Sequence, residues 1–389
     1  LISLYCNWKV KVTDSGFYIS SVHAKYISVF KERDDVTLIS NVTSSPVTNN
    51  DVFFHYQDIR LIPLPAFNSY VQALRSFGQI YISLKEAVKI SDFIYVRTPE
   101  PFSWLIGLFN CVYKKTVNYH VTSNPLSVIW GNKSDSLIKR LIKSSIFYPE
   151  YIAILISSYF NKISCNGPSA IEELPFFIKK RVRILIESTK RDCDFDENLI
   201  AKNSFSRGGV VKLLVVTRFF PAKGIDIALE AFSKINFELT PCELFIAGDG
   251  PELNLMKKIA FDLGITERVN FLGNIKNGDE LNQIYTQCHI FINPSLSETG
   301  PRVLLEAMAY NLYCISTDVG YSRHVLSDEH GHLYGHIISP GSVEEMQLSI
   351  QNAVINISNV MSIAEKGRAL SKRFTLDKFV DHVISTSKH

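Results

Sequence analysis

No cysteine pair stands at metal-binding or disulfide-framework spacing in these 389 residues. The seven cysteines, Cys6, Cys111, Cys165, Cys193, Cys242, Cys288 and Cys314, are scattered and odd in number. That argues against a disulfide scaffold and a zinc site, and it fits a reduced, cytoplasmic setting. Long hydrophobic runs are missing too. Phe102–Tyr113 and Phe147–Phe160 fall short of the ~18–20 apolar residues a spanning helix needs, and the second contains Pro149 and Glu150. A soluble or peripheral protein is expected. There is no internal repeat and no low-complexity tract. No Gly-x-Gly-x-x-Gly follows the first apolar run, Leu1–Tyr5, which argues against a dinucleotide-dependent dehydrogenase. That run has no basic leader and reads as a buried strand instead of a signal peptide.

Net charge is also small, at +3, but it is unevenly spread. Residues 1–205 hold 24 lysines and arginines against 18 aspartates and glutamates, whereas residues 206–389 hold 17 against 20. The excess concentrates in 114–191, with 13 basic and 5 acidic residues. One half of the chain is therefore expected to face an anionic partner. An anionic membrane surface is the candidate, because Lys133, Lys139, Arg140 and Lys143 precede the apolar Phe147–Phe160 with Tyr148, Tyr151 and Tyr159. The alternative is a buried helix with solvated lysines. No nucleic-acid partner is expected.

What is present is alternation. The length suits two domains. In the second half, Val211–Thr217 is a β-branched and leucine run interrupted only by Lys212, the pattern of a strand buried on both faces. Strands follow at Glu243–Ala247, Val269–Leu272, Ile290–Asn293 and Tyr313–Thr317, interleaved with helices at Ile225–Ile235, Glu252–Leu263, Asp279–Gln287 and Arg302–Tyr310. The first half offers strands at Leu1–Tyr5, Val36–Ser40, Ile59–Pro63, Phe93–Arg97, Thr116–Tyr119, Lys162–Cys165 and Val182–Ile186. Its helices are expected at 17–31, 69–89, 102–112 and 136–160, the last broken at Pro149. Residues 41–58 read as a hairpin or a loop, Asn203–Gly209 as the linker, and the tail as helices near 342–357, 360–372 and 375–386. This is the signature of α/β domains with parallel sheets. Residues 1–205 would form one domain and 206–373 the other, with 374–389 crossing back to the first.

Ligands of such sheets bind beyond the carboxyl ends of the strands. Arg218, Lys223 and Gly224 follow Val211–Thr217, and two cations ahead of a helix start suit a diphosphate. They would otherwise be surface charges. Gly248-Asp249-Gly250-Pro251 follows the next strand, either as a close-approach loop or as a plain turn. After Ile290–Asn293 comes Pro294-Ser295-Leu296-Ser297-Glu298-Thr299-Gly300-Pro301-Arg302-Val303. Gly300-Pro301 marks a helix start whose first amides, near 301–304, are available to an anion. Glu298 on that loop suits a sugar hydroxyl, or caps the helix. Glu306 lies among apolar helical neighbours and needs a partner, either ribose hydroxyls or a salt bridge. Asn311 suits a left-handed helix end. Asp192-Cys193-Asp194 could be read as a metal-holding Asp-x-Asp, but its place after the last strand of the first half favours an acidic turn. No metal and no cofactor are expected.

Taken in order, Arg218, Lys223-Gly224, Gly248-Asp249-Gly250-Pro251, Leu272-Gly273, Pro294-Ser295, Glu298 with Glu306 eight positions on, and Thr317-Asp318-Val319-Gly320 resemble the donor-binding half of glycosyltransferase family 4. That resemblance implies a GT-B fold, two Rossmann-like domains facing a cleft, and retaining transfer from a nucleotide diphosphate sugar to a glycan acceptor. It implies that Arg218 and Lys223 bind the diphosphate and that Glu306 binds the ribose. Glu298, Thr299, Gly300, Arg302 and Val303 would hold the transferred sugar and its phosphate, and Gly248, Gly250, Asn274 and Ile275 would line the nucleotide. In the first half, Ser15, Gly16 and His120 would line the acceptor cleft, with His120 catalytic beside Glu298, Arg218 and Lys223, or else a structural histidine; Arg97, after another strand, is a further cleft candidate or part of a capping loop. The chain departs from the family at Thr217, Ala222, Gly300-Pro301 and Arg323-His324, which leaves the donor sugar open. A lipid-linked acceptor in bacterial surface polysaccharide synthesis fits the basic first half. Alternatives are a GT-B epimerase or phosphorylase, or a non-catalytic nucleotide-sugar binding subunit.

Overall fold

The computed structural model describes residues 1–67, 69–122, 126, 129–130, 135–172, 174–195, 209–298 and 300–385. By its internal contacts the chain divides into two units, Leu1–Ile186 together with Asp377–His389, and Glu187–Leu376. Most of the expected linker, residues 203–208, lies outside the described residues.

The first unit contains β1 (Ile2–Tyr5), β2 (Lys11–Val12), β3 (Gly16–Ser20), β4 (Val36–Asn41), β5 (Asp51–His55), β6 (Arg60–Leu64), β7 (Phe93–Thr98), β8 (Thr116–Val121), β9 (Lys162–Asn166) and β10 (Arg183–Leu185). Seven form one sheet in the order β10-β9-β8-β7-β1-β4-β6, parallel throughout. All seven were legible in the sequence; the five inner strands are covered on both faces, whereas the edge strands β6 and β10 expose Arg60, Pro63, Arg183 and Ile184. On one face Ile94, Val96, Val117 and Tyr119 pack with Ile80 and Leu84 of the helix Phe77–Ile90 and with Leu105 and Ile106 of Trp104–Tyr113. The C-terminal helix Leu376–Ser385 also packs on this unit. Arg33 forks onto its Asp381 at 2.8 and 3.3 Å, and Phe379 meets Tyr26 and His120.

Three expectations for this unit are corrected. Residues 17–20 are strand, and the helix starts at Ser21. Phe17 and Ile19 are buried, alternate with half-buried Tyr18 and Ser20, and pair antiparallel with β5 in a small β2-β3-β5 sheet. The stretch 41–58 supplies that partner. The helix at 69–89 is two helices, Tyr70–Arg75 and Phe77–Ile90, parted at Ser76. The break at Pro149 is absent: Leu137–Tyr159 is continuous. Proline removes one N–H, but the next residue, buried Glu150, pins the helix by accepting from Phe102 N–H, Trp104 Nε1 and Tyr70 Oη.

The second unit has β11 (Val211–Val216), β12 (Cys242–Ala247), β13 (Val269–Gly273), β14 (Ile290–Asn293), β15 (Tyr313–Thr317) and β16 (His336–Ile338). They form a parallel sheet in the order β13-β12-β11-β14-β15-β16. Val211, Leu213, Val215, Leu244, Ile246 and Ile290 fill its core against Ala228, Leu229 and Phe232 of the helix Ile225–Ser233. The short β16 and the helix Ser322–Leu326 had no clear sequence signal. The fold is thus α/β with two Rossmann-like parallel-sheet units. All seven cysteines are free thiols, with Cys111 and Cys193 exposed and the other five buried. Burial pushes the Cys165, Cys242 and Cys288 thiols up to about 12.

Candidate functional site

Numbered by appearance, the second sheet runs 3-2-1-4-5-6, so the direction of winding reverses between β11 and β14. In open α/β sheets the crevice at such a reversal is where ligands sit. The loops that leave β11, β12 and β14 meet there, backbone against backbone. A Cβ on Gly248 would lie 1.8 Å from the Thr217 carbonyl, and one on Gly224 would lie 2.2 Å from the Pro294 carbonyl. Gly224 also holds φ +61°, where glycine is favoured. Phe219 N–H donates to Asp249 O at 3.0 Å and Leu296 N–H to Ala222 O at 2.8 Å. A Cβ on Gly250 would lie 2.6 Å from the Phe219 carbonyl. The glycines therefore serve to press three loops together at the strand ends.

Onto this platform the sequence places its cations. Lys223 Nζ makes an ion pair with Glu298, both largely buried, and Ser295 Oγ donates to the same carboxylate at 3.2 Å. Arg218 is exposed, its guanidinium 5.6 Å from the Phe220 ring centroid. Thr299 lies outside the described residues. Gly300 is glycine because the buried Tyr321 ring fills the space beside it: a Cβ would come within 1.9 Å of that ring. The helix Arg302–Ala309 does begin here, but its amides are less available than expected. Arg302 N–H turns back to Gly300 O and Leu304 N–H to Pro301 O, as tight first turns do. The side chains of Arg302 and Val303 are half-buried. Thr317 Oγ1 donates to Ser295 O at 2.6 Å, fixing the loop from β15. The unusual Arg323 pairs with Asp318 at 2.6 Å.

Among the described residues Glu306 has no salt-bridge partner. It is half-buried and accepts from two hydroxyls, Thr189 Oγ1 and Tyr285 Oη, the latter at 3.0 Å. Tyr285 stacks on Tyr310, with centroids 5.5 Å apart, and Tyr310 Oη accepts from buried Lys190 Nζ at 3.0 Å. Burial and the neighbouring carboxylate hold the Tyr285 hydroxyl well above its ordinary pKa, so it remains a donor. Sequence reasoning missed Thr189, Tyr285 and Lys190. Thr189 and Lys190 follow β10 in no motif, and Tyr285 reads only as a core aromatic. At the helix end Asn311 has φ +63°, and Leu312 N–H closes on Ala307 O, a left-handed cap as expected. Beyond β13, Asn274 is exposed and Ile275 half-buried, while Gly248 N–H donates to Gly273 O at 2.7 Å.

The first sheet reverses winding between β1 and β7. Asn7 N–H donates there to Glu100 Oε1 at 2.8 Å. Burial raises the Glu100 carboxyl to about 8, against the pull of Arg97. Arg97 is half-buried and sits in register beside His120. His120 itself is fully buried, with Nδ1 2.9 Å from Ser164 Oγ and its ring between Tyr95 and Phe379. That is the surrounding of an interior histidine. Ser15 and Gly16 form the turn between β2 and β3, where Gly16 is required by contact with Phe53 and Phe54. This turn precedes a strand, not the helix first expected.

Asp192–Phe195 is a short 3-10 turn closed by Arg191 N–H on Asp194, and no group of metal-ligating side chains occurs among the described residues. Lys139 and Lys143 both pair with Asp135 at 2.5 Å; Lys133 lies outside the described residues.

The fold and the crevice at β11 and β14 define a class of two-unit α/β proteins with Rossmann-like parallel sheets. Residues 196–369 match the family model of glycosyl transferases group 1. Among curated relatives, the phosphatidylinositol N-acetylglucosaminyltransferase gpi3 subunit of Schizosaccharomyces pombe is 31% identical over 130 residues. That match covers 33% of this chain and 28% of the relative, so the chain spans less than a third of the relative's length. Among solved structures, Anabaena HepE in complex with UDP-glucose superposes with a TM-score of 0.67 at 15% identity, covering 99% of this chain and 98% of that one. WaaG, a glycosyltransferase involved in lipopolysaccharide biosynthesis, gives 0.66 at 17%, covering the whole of both. These structures share the GT-B fold.

Proposed function

We propose that the chain is a retaining, metal-independent glycosyltransferase that moves a sugar from a nucleotide diphosphate sugar to a glycan acceptor. The observation that carries this reading is the pairing of Lys223 with Glu298 at the winding reversal of the second sheet, beside Arg218. The resemblance to HepE, solved with UDP-glucose, supports a nucleotide-sugar donor. In this proposal Arg218 and Lys223 take the diphosphate, and Lys223 is already positioned by Glu298 before the donor arrives. Glu306 takes the ribose hydroxyls, exchanging the hydrogen bonds it now accepts from Thr189 and Tyr285. Glu298 faces the transferred sugar.

The anomeric carbon–oxygen bond breaks with its electron pair passing to the β-phosphate, where the two cations stabilise the developing charge. The acceptor hydroxyl attacks the same face of the sugar, and its proton goes to the departing phosphate oxygen. His120 and Arg97 act in the first unit by shaping the acceptor side, with Ser15 and Gly16 at its outer turn. A cytoplasmic enzyme working at the inner membrane face, on a lipid-linked precursor of a surface polysaccharide, fits the basic first unit and the likeness to WaaG.

The test is a thermal-shift screen against nucleotide sugars, followed by transfer assays with the donor found. A specific donor raises the midpoint by mass action. No shift with any nucleoside diphosphate or its sugars would overturn the reading. Donor binding without hydrolysis or transfer would favour a binding subunit. Activity is expected to survive EDTA; loss restored by magnesium or manganese would replace the cations with a metal.

A further inference from the structure

The helix Leu137–Tyr159 buries one side, with Glu150, Ile154, Leu155 and Ser158 inward. The other side is apolar as well. Ile138, Leu141, Ile142, Tyr148, Ile152 and Ile156 are all exposed, Ile138 at 71%. At 3.6 residues per turn these six share an arc of about 120°. The helix's four charged residues, Lys139, Arg140, Lys143 and Glu150, lie outside that arc. Amphipathic surface helices ordinarily turn a polar face to water. An exposed apolar face of this size marks an interaction surface. At its C-terminal end the patch continues as an aromatic cluster. Phe160 and Phe176 are 75% and 71% exposed, and Tyr159 lies 5.4 Å from Phe160 and 6.1 Å from Phe177 between ring centroids. Two cations stack on these rings, Arg181 on Tyr159 at 4.7 Å and Lys180 on Phe176 at 4.5 Å.

We infer that this surface seats the protein on an anionic bilayer, the helix lying in the interface plane with the aromatic cluster inserted and Lys180 and Arg181 at the headgroups. Charge complementarity selects this occupant. Rings that carry cations suit the zone where acyl chains meet anionic headgroups. A second copy docked through the same patch would bring two more cations, its own Lys180 and Arg181, into the interface and no acidic partner for them among these patch residues. Among the described residues no helix is long and apolar enough to cross a membrane, so the helix lies on the bilayer without spanning it. The basic residues that the sequence suggested, Lys139 and Lys143, have a different job: both neutralise Asp135 at the start of the helix. The inference rests on the proposed lipid-linked acceptor only for its purpose.

The full chain is floated with phosphatidylcholine vesicles and with phosphatidylcholine–phosphatidylglycerol vesicles, at low and high salt, without donor or acceptor. Binding to the anionic vesicles that weakens with salt is expected. Joint Phe160→Ser, Phe176→Ser and Phe177→Ser substitution weakens it by about tenfold or more, since the inserted rings supply much of the apolar area that holds the protein on the bilayer. Lys180→Glu with Arg181→Glu removes the preference for anionic lipid, whereas Lys139→Gln with Lys143→Gln leaves it. Circular dichroism and the nucleotide-sugar thermal shift stay unchanged in every variant, which separates this test from that of sugar transfer. No flotation with anionic vesicles at low salt overturns the inference. So does flotation that both the aromatic and the charge variants retain, or a dimer in sedimentation that the aromatic variant dissolves while vesicles capture nothing.

Discussion

The two units set different side chains on one frame. Both sheets are parallel and reverse their winding beside their first strand. At the reversal of the second unit, glycine-tightened loops present Arg218 and the Lys223–Glu298 pair. At the reversal of the first, a buried carboxylate, Glu100, is held by the Asn7 amide. A frame of this kind decides where a ligand sits; the side chains on the first residues past the strands decide its charge. In the function proposed above, the second unit takes the anionic diphosphate and the first the hydroxyls of the acceptor.

That contrast breaks most sharply at the cations. Arg218→Ala and Lys223→Ala should each cut turnover by about 10²-fold or more, the usual loss for a charge contact to a transition state. Steady-state kinetics measures it, and Arg218→Ala should leave the thermal midpoint nearly unmoved because the side chain is exposed. Wild-type turnover in both variants would dissociate the second reversal from phosphate. Next comes the frame itself. Gly224→Ala meets the Pro294 carbonyl in a left-handed conformation. It should destabilise the protein by about 1–3 kcal/mol in urea unfolding. An unchanged midpoint would mean that the loops are not pressed together.

Finer contrasts lie within the second site. Glu306→Gln should weaken the free nucleoside diphosphate by about tenfold, the value of roughly one charged hydrogen bond. Glu298→Gln should lower turnover and leave that affinity near normal. Calorimetry with the nucleotide separates them, and equal losses would show the two roles to be wrongly divided. A further contrast belongs to the first unit. Glu100 has its folded pKa raised from 4.5 to about 8. The stability it contributes is fully present below about pH 4.5 and declines as pH rises through about 8, because the folded state holds the extra proton. Glu100→Gln should therefore flatten the fall of the thermal midpoint between these values. A slope identical to wild type would place Glu100 in water.

The central parallel strands were legible because burial on both faces leaves apolar runs such as Leu213–Val216. The antiparallel β3 was not. Gly16–Ser20 runs straight into the helix from Ser21, and the apolar spacing of Phe17, Ile19, Val22 and Tyr26 does not announce the change of period. The motif residues of the second site were legible as residues but not as contacts. That Lys223 meets Glu298 across 75 positions, or that Glu306 accepts from Thr189 across 117, has no local signature. The donors around Glu150 show the same limit: a proline beside a lone carboxylate reads as a break until three distant hydrogen bonds turn it into an anchor.

The cysteine distribution has a practical consequence. Of the two exposed thiols, Cys111 lies in the first unit and Cys193 in the second, and the other five are sealed inside. A maleimide dye pair applied to the native protein therefore labels one position in each unit, without engineered sites. Energy transfer between the two dyes becomes a ruler across the molecule, read in solution as nucleotide sugar is added.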